Sequence, residues 1–193
     1  MLGLKLETDP RWVNIVETNI AEILTDHAYC EQKAASNAIT IIVKYPQYPD
    51  LVKEMAKIAQ EEMEHFELVH DLIVERGLDF GRERKDPYVN DLTKFFKDTG
   101  GDKKKLLTQR LLFAAMIEAR SCERFKVLSE AMSDEKLKKF YRDLMISEAN
   151  HYTTFIKFAR KYGTDDVDDL WHDFLVYEGE LMKNYGKSET IHG

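Results

Sequence analysis

The chain has 193 residues, of which 44% are hydrophobic and 33% charged, with four prolines and a formal net charge of −7. That length suits one domain with a full apolar core. The acidic balance does not advertise nucleic-acid binding, the first dozen residues lack the apolar stretch of a secretory leader, and no apolar run nears the roughly 18 residues of a membrane span.

A first helix is predicted from Asp9, as N-cap, and Pro10 at the first helical position to about Lys44, before Tyr45-Pro46. At about 1.5 Å per residue it would exceed 50 Å, so a break near Thr25-Asp26 is expected. A second helix runs from about Pro49-Asp50 to Arg76 and stops at Gly77. Residues 78–105 then form a long connection, too long to be structureless, with a short helix expected over Tyr88–Lys97. The third helix spans about Asp102 to Met132. A turn at Ser133-Asp134 leads to the fourth, about Asp134 to Tyr162, stopped by Gly163. A fifth helix, about 166–184, carries Leu170, Trp171, Phe174, Leu175, Tyr177 and Leu181 and should cover one side of the bundle. The tail, 186–193, is expected to be disordered. The reading is one all-α domain, a four-helix bundle over about 10–162, with one long crossover between two helical hairpins and an extra C-terminal helix.

The chain holds four Glu-x-x-His matches: Glu62/His65, Glu67/His70, Glu148/His151 and Glu189/His192. Residues at i and i+3 share a helix face, so each pair could ligate one metal ion, but chance matches abound in a Glu-rich chain. Heptad register separates them. The 4-3 stepping row through the first match is Leu51, Met55, Ile58, Glu62, His65, Val69, Leu72. Through the third it is Leu137, Tyr141, Leu144, Glu148, His151, Phe155, Phe158. In both, the pair interrupts an apolar seam of the kind a bundle buries. A buried carboxylate costs several kcal/mol unless it is paired or coordinates metal. Glu67 lies instead in the polar row Lys53, Lys57, Gln60, Glu64, Glu67, Asp71, and Glu189 follows Gly186 in the tail. Both are read as chance.

The remaining ligands follow from an internal repeat. Glu31 interrupts the seam Leu24, Ala28, Glu31, Ala35, Ala38, Ile42, and Glu118 interrupts Leu107, Leu111, Ala114, Glu118, Ser121, Phe125, Leu128. Residues equidistant from a hairpin turn lie at one level. Glu31 and Glu62 flank the first turn symmetrically, and Glu118 and Glu148 the second. The spacings are 31 and 30 residues. The expected ligand set is Glu31, Glu62, His65, Glu118, Glu148 and His151. Glu123 competes with Glu118, but its row (Met116, Arg120, Glu123, Lys126, Glu130) is mostly polar. His27, one turn before Glu31, is either a support for that ligand or an ordinary histidine. Four carboxylates and two imidazoles suit iron, with manganese as the alternative, better than structural zinc.

Three stretches carry a resemblance: residues 26–35 (DHAYCEQKAA), residues 117–125 (IEARSCERF) and residues 147–151 (SEANH). They are similar to the MiaE-type tRNA hydroxylases, over about residues 10–162. The resemblance implies a ferritin-like fold and a non-haem di-iron centre on the six residues named above. It implies oxygen-dependent hydroxylation of the isopentenyl group of 2-methylthio-N6-isopentenyladenosine in tRNA, with dioxygen as co-substrate and an external electron donor. Basic residues in the crossover (Arg82, Arg84, Lys85) and opening helices three and four (Lys103, Lys104, Lys105, Arg110; Lys136, Lys138, Lys139, Arg142) could meet phosphates. They are equally the solvated faces of ordinary helices. Cys30 and Cys122, without a Cys-x-x-Cys pair, read as reduced thiols of a cytoplasmic protein. Two other classes stay open: a ferritin-like iron-handling or peroxide-reducing protein, and a helical interaction module with paired or protonated acids.

Overall fold

The computed structural model describes residues 2–185, 188 and 190–192. Among the described residues there are seven α-helices and no strand: α1 (Trp12–Thr18), α2 (Ile20–Lys44), α3 (Pro49–Glu75), α4 (Pro87–Thr93), α5 (Lys103–Ala131), α6 (Glu135–Tyr162) and α7 (Val167–Leu181), the last followed by a 3-10 turn, Met182–Asn184. No helix is long and apolar enough to cross a membrane.

Capping chemistry sets the boundaries. Asp102 accepts hydrogen bonds from the backbone N–H groups of Lys104 (2.8 Å) and Lys105 (3.1 Å) at the head of α5. Asp134 does the same for Lys136 (2.9 Å) and Leu137 (3.1 Å) at the head of α6. Gly77 ends α3 with φ +63°, the left-handed conformation in which a side chain is strained. Gly163 ends α6 for another reason: a Cβ there would lie 2.3 Å from the Ala159 carbonyl oxygen and 2.8 Å from Thr108 Oγ1.

The chain sorts into two compact units. One contains residues 16–85 with 190 and 191; its frame is the hairpin of α2 and α3, joined through residues 45–48. The row Leu51, Met55, Ile58, Glu62, His65, Val69, Leu72 is buried throughout, and Lys53, Lys57, Gln60, Glu64, Glu67 and Asp71 are all exposed. Glu67 is therefore a surface residue, as its row predicts. The other unit holds the described residues of 1–15, 86–188 and 192, framed by the hairpin of α5 and α6, against which α7 packs. The α6 row from Leu137 to Phe158 is likewise buried.

Four expectations are corrected. The first helix breaks at Asn19, and α2 runs straight through Thr25-Asp26. The side chains of that pair are engaged elsewhere: Thr25 Oγ1 accepts from the Gly81 N–H (3.3 Å) and Asp26 Oδ2 from the Ile191 N–H (2.8 Å), so neither competes for the helix backbone. The crossover helix is shorter than 88–97. After Thr93 the chain turns, and consecutive Phe95 and Phe96 both pack on Phe174 of α7, at 4.7 Å between ring centroids. Adjacent residues on a helix point about 100° apart and cannot share one target so readily.

The tail is ordered at its described residues. Ile191 and His192 are buried, the Trp12 indole donates to the Ser188 carbonyl (3.2 Å), and His192 stacks on Tyr88. Its aliphatic and imidazole groups have partners that only the folded chain supplies. Gly186 and Glu189, the residues used to place the tail and one chance motif, lie outside the described residues. The fourth correction is the row of Glu123. Met116, Arg120 and Glu123 are buried, because α5 is enclosed on most of its circumference.

Candidate metal centre

In the α2–α3 unit, one ligand atom each from Glu31, Glu62 and His65 lie within 4.8 Å of one another. His65 Nδ1 is 3.5 Å from Glu62 Oε2 and 3.7 Å from Glu31 Oε2. Both separations are longer than good hydrogen bonds. They approach the roughly 3 Å between two donors that share one ion through bonds of about 2.0–2.2 Å. All three residues are buried. Glu62 and His65 meet because they sit three residues apart on α3; Glu31 comes to their level because the hairpin turn is equidistant from Glu31 and Glu62.

The α5–α6 unit repeats the arrangement. One ligand atom each from Glu118, Glu148 and His151 lie within 4.8 Å of one another, again from buried residues. Each triad is a carboxylate–imidazole cluster of the kind that holds a metal ion.

Two neighbouring groups have definite partners. His27, fully buried on α2, makes a 2.6 Å hydrogen bond through Nε2 to Glu31 Oε1. Where the Glu31 carboxylate is ionised it can only accept, and Nε2 of His27 is then the donor. Glu123 is engaged otherwise: it accepts from the Thr8 N–H (2.9 Å), the Thr8 hydroxyl (2.6 Å) and Arg120 Nη1 (2.8 Å). Arg120 also donates to Glu178, which accepts from the Tyr88 hydroxyl (3.1 Å). Sequence reasoning did not find this network. Its one signal was an Arg and a Glu three residues apart on a helix, a pair found far more often on surfaces than in cores. Arg124, one turn on from Arg120, lies over the Trp12 ring at 4.1 Å. Burial, with the charge of Arg120, lowers the Arg124 pKa to about 10.

Cys122, between these groups on α5, is buried and its thiol donates to the Met145 carbonyl. Burial, then the charge of Glu148, pushes its pKa to about 12. It is an inert core thiol.

Comparison with known proteins gives a consistent result. The family model described as tRNA-(MS[2]IO[6]A)-hydroxylase (MiaE) matches residues 2–193, well past residue 162 where the resemblance in the sequence ends. A tRNA 2-(methylsulfanyl)-N(6)-isopentenyladenosine(37) hydroxylase of Pseudomonas putida is 37% identical over 161 residues, 83% of this chain and 76% of that protein. One of the same name from Salmonella typhimurium is 25% identical over 221 residues, 90% of this chain and 80% of that protein. Among solved structures, a protein from Synechococcus with aldehyde deformylating oxygenase activity superposes with a TM-score of 0.88 at 29% identity, covering 98% of this chain and 95% of that one. The fold it shares with this chain is the all-α, ferritin-like one expected from the sequence.

Proposed function

This chain belongs to the MiaE family of tRNA hydroxylases, and from that premise we propose how its residues carry the activity. It is an enzyme, a di-iron monooxygenase that hydroxylates the isopentenyl group of 2-methylthio-N6-isopentenyladenosine in tRNA. The observation that carries the reading is the occurrence, in a chain matched along 2–193 by that family, of two buried Glu-Glu-His triads, one on each long hairpin.

In our reading the six residues of the triads, Glu31, Glu62, His65, Glu118, Glu148 and His151, act together and hold two metal ions, with the whole chain working as one domain. The donor set fits the group. Four carboxylates nearly balance two divalent cations, and oxygen-rich donors with two imidazoles suit iron, with manganese as the alternative. Glu62 and Glu148, the carboxylates of the two Glu-x-x-His pairs, would each hold metal together with the histidine one turn on. When bound, an iron pair supplies the activation of dioxygen that an unactivated C–H bond requires. The balance of the reaction calls for a further partner. One oxygen atom enters the C–H bond and the other leaves as water, which consumes two electrons and two protons. An external electron donor must deliver those electrons.

The protein's own part is to keep the carboxylates apart from water and to present the tRNA. Lys103, Lys104 and Lys105 at the head of α5, and Lys136, Lys139 and Arg142 on the first turns of α6, are exposed and could meet phosphates, Lys104 giving up its 3.5 Å pair with Asp165. In the crossover Arg82 and Lys85 are exposed, and Arg84 pairs with Glu22 at 3.2 Å. With a net charge of −7, the footprint on RNA should be small and centred on the modified base. A tRNA substrate and two free cysteines support a cytoplasmic location.

The test is metal analysis of protein expressed with ample iron, followed by nucleoside mass spectrometry of modified tRNA incubated with dioxygen and a reductant. Two irons per chain and a gain of one oxygen atom on the isopentenyl nucleoside are expected. A folded, metal-free protein, or a two-iron protein that leaves the nucleoside unchanged, would overturn the reading at its first or second step.

A further inference from the structure

We infer that His27 is a positioning residue for the metal centre: it fixes Glu31 so that one carboxylate oxygen is committed to the protein and the other is presented to the ion. The inference rests on the reading of Glu31 as a ligand. Its own evidence is geometric. His27 and Glu31 are four residues apart on α2 and so face the same side. Nε2 of His27 lies 2.6 Å from Oε1 of Glu31, while Oε2 of the same carboxylate points toward His65, 3.7 Å from its Nδ1. The two oxygens therefore have different environments before any ion arrives.

That asymmetry has chemical consequences. A charge-assisted N–H···O bond at this distance is among the stronger hydrogen bonds. It holds the glutamate rotamer, which otherwise has three freely rotating side-chain torsions, and removes an ordering cost that the arriving ion would bear. It also biases Glu31 toward binding through a single oxygen. A histidine suits this position because its ring is wholly buried and rigid, with the donor at a fixed reach from the helix. The sequence hints at the pair through its i,i+4 spacing, but a lone histidine near a seam is more often simply packed. The distance and the burial separate the two cases.

The experiment compares wild type with His27→Gln, His27→Asn and His27→Leu. Gln can place an N–H near the position of Nε2; Asn is one methylene too short; Leu keeps bulk without a donor. Each protein is stripped of metal and titrated anaerobically with Fe(II), and separately with Co(II), whose visible spectrum reports ligand geometry. Thermal melting of the metal-free proteins controls for folding. The expected result is a 10–100-fold loss of affinity at one of the two ions in the Asn and Leu variants. The cobalt spectrum of those variants should be altered, and Gln should recover affinity to within a few-fold. Wild-type affinity and spectrum in the Asn and Leu variants would overturn the inference while leaving the metal reading intact. So would an equal loss in all three, tracking a lowered melting temperature of the metal-free proteins. A wild-type protein that binds neither metal would overturn both.

Discussion

Arg120 on α5 and Glu178 on α7 form a fully buried ion pair in which the guanidinium donates from Nε (2.9 Å) and Nη2 (2.6 Å) to the same carboxylate oxygen. Arg120 Nη2 also donates to the Leu6 carbonyl (3.1 Å) and Nη1 to Glu123. One side chain thus ties the N-terminal segment, α5 and α7 together. Removing one partner of a buried pair leaves the other charge uncompensated and costs about 3–5 kcal/mol. Glu178→Ala should therefore lower the melting temperature by on the order of 10 °C, measurable by circular dichroism. A change of a degree or less would show that the network contributes little.

The same network separates two neighbouring glutamates. Glu118→Ala should abolish stoichiometric binding of two irons, because that carboxylate belongs to the triad with Glu148 and His151. Glu123→Ala should keep the metal and lose stability, because its carboxylate holds Arg120 and Thr8. Iron content alongside thermal melting checks both. Metal loss in the Glu123 variant, with the Glu118 variant unaffected, would reverse the assignment. Glu67→Ala, at an exposed site, should change neither quantity.

Asp86 caps α4 and faces His192, with Nδ1 of the imidazole 3.5 Å from Oδ2. Burial alone would raise its pKa. The nearby His192 imidazole, with the N–H groups of Val89 and Tyr88, outweighs burial and holds the carboxyl below its ordinary value. A folded pKa below the unfolded one contributes stability that is present above the unfolded value and lost as pH falls through the folded value. Wild type should therefore exceed Asp86→Asn in urea stability at about pH 6, with the difference shrinking below roughly pH 4. A difference independent of pH would sink this account.

Truncation after Tyr185 removes the buried Ile191 and His192 together with the bond to Asp26 and the stack on Tyr88. Burying one isoleucine alone contributes about 1.5–3 kcal/mol. The truncated chain should unfold at a distinctly lower urea concentration with a similar slope. An unchanged midpoint would mean that the tail contributes nothing to stability.

Cys122 should escape a thiol reagent at pH 8 in the folded protein, since burial holds its thiol protonated. A native thiol count below two, rising to two in denaturant, is the expected outcome. Rapid native labelling of Cys122, located by mass spectrometry, would contradict its burial.

The sequence by itself determined the four long helices of the bundle and which carboxylates and imidazoles interrupt their buried rows. Heptad register is a one-dimensional signal: Glu62 and His65, or Glu148 and His151, in an otherwise apolar row can be read without knowing what lies opposite. Equal spacing about each turn extended this to Glu31 and Glu118. The tertiary structure decided whatever depends on partners distant in the chain. Glu123 looked like a residue of a polar face, because nothing local shows that Thr8 and Arg120 enclose it. The tail looked disordered, because the hydrogen bonds of Ile191 and His192 reach groups 71 to 165 residues away. The helix broke at Asn19 and not at Thr25-Asp26, because the side chains of that pair are claimed by Gly81 and Ile191. Local pattern fixes which residues share a face, and long-range hydrogen bonds fix which of the polar ones stay inside.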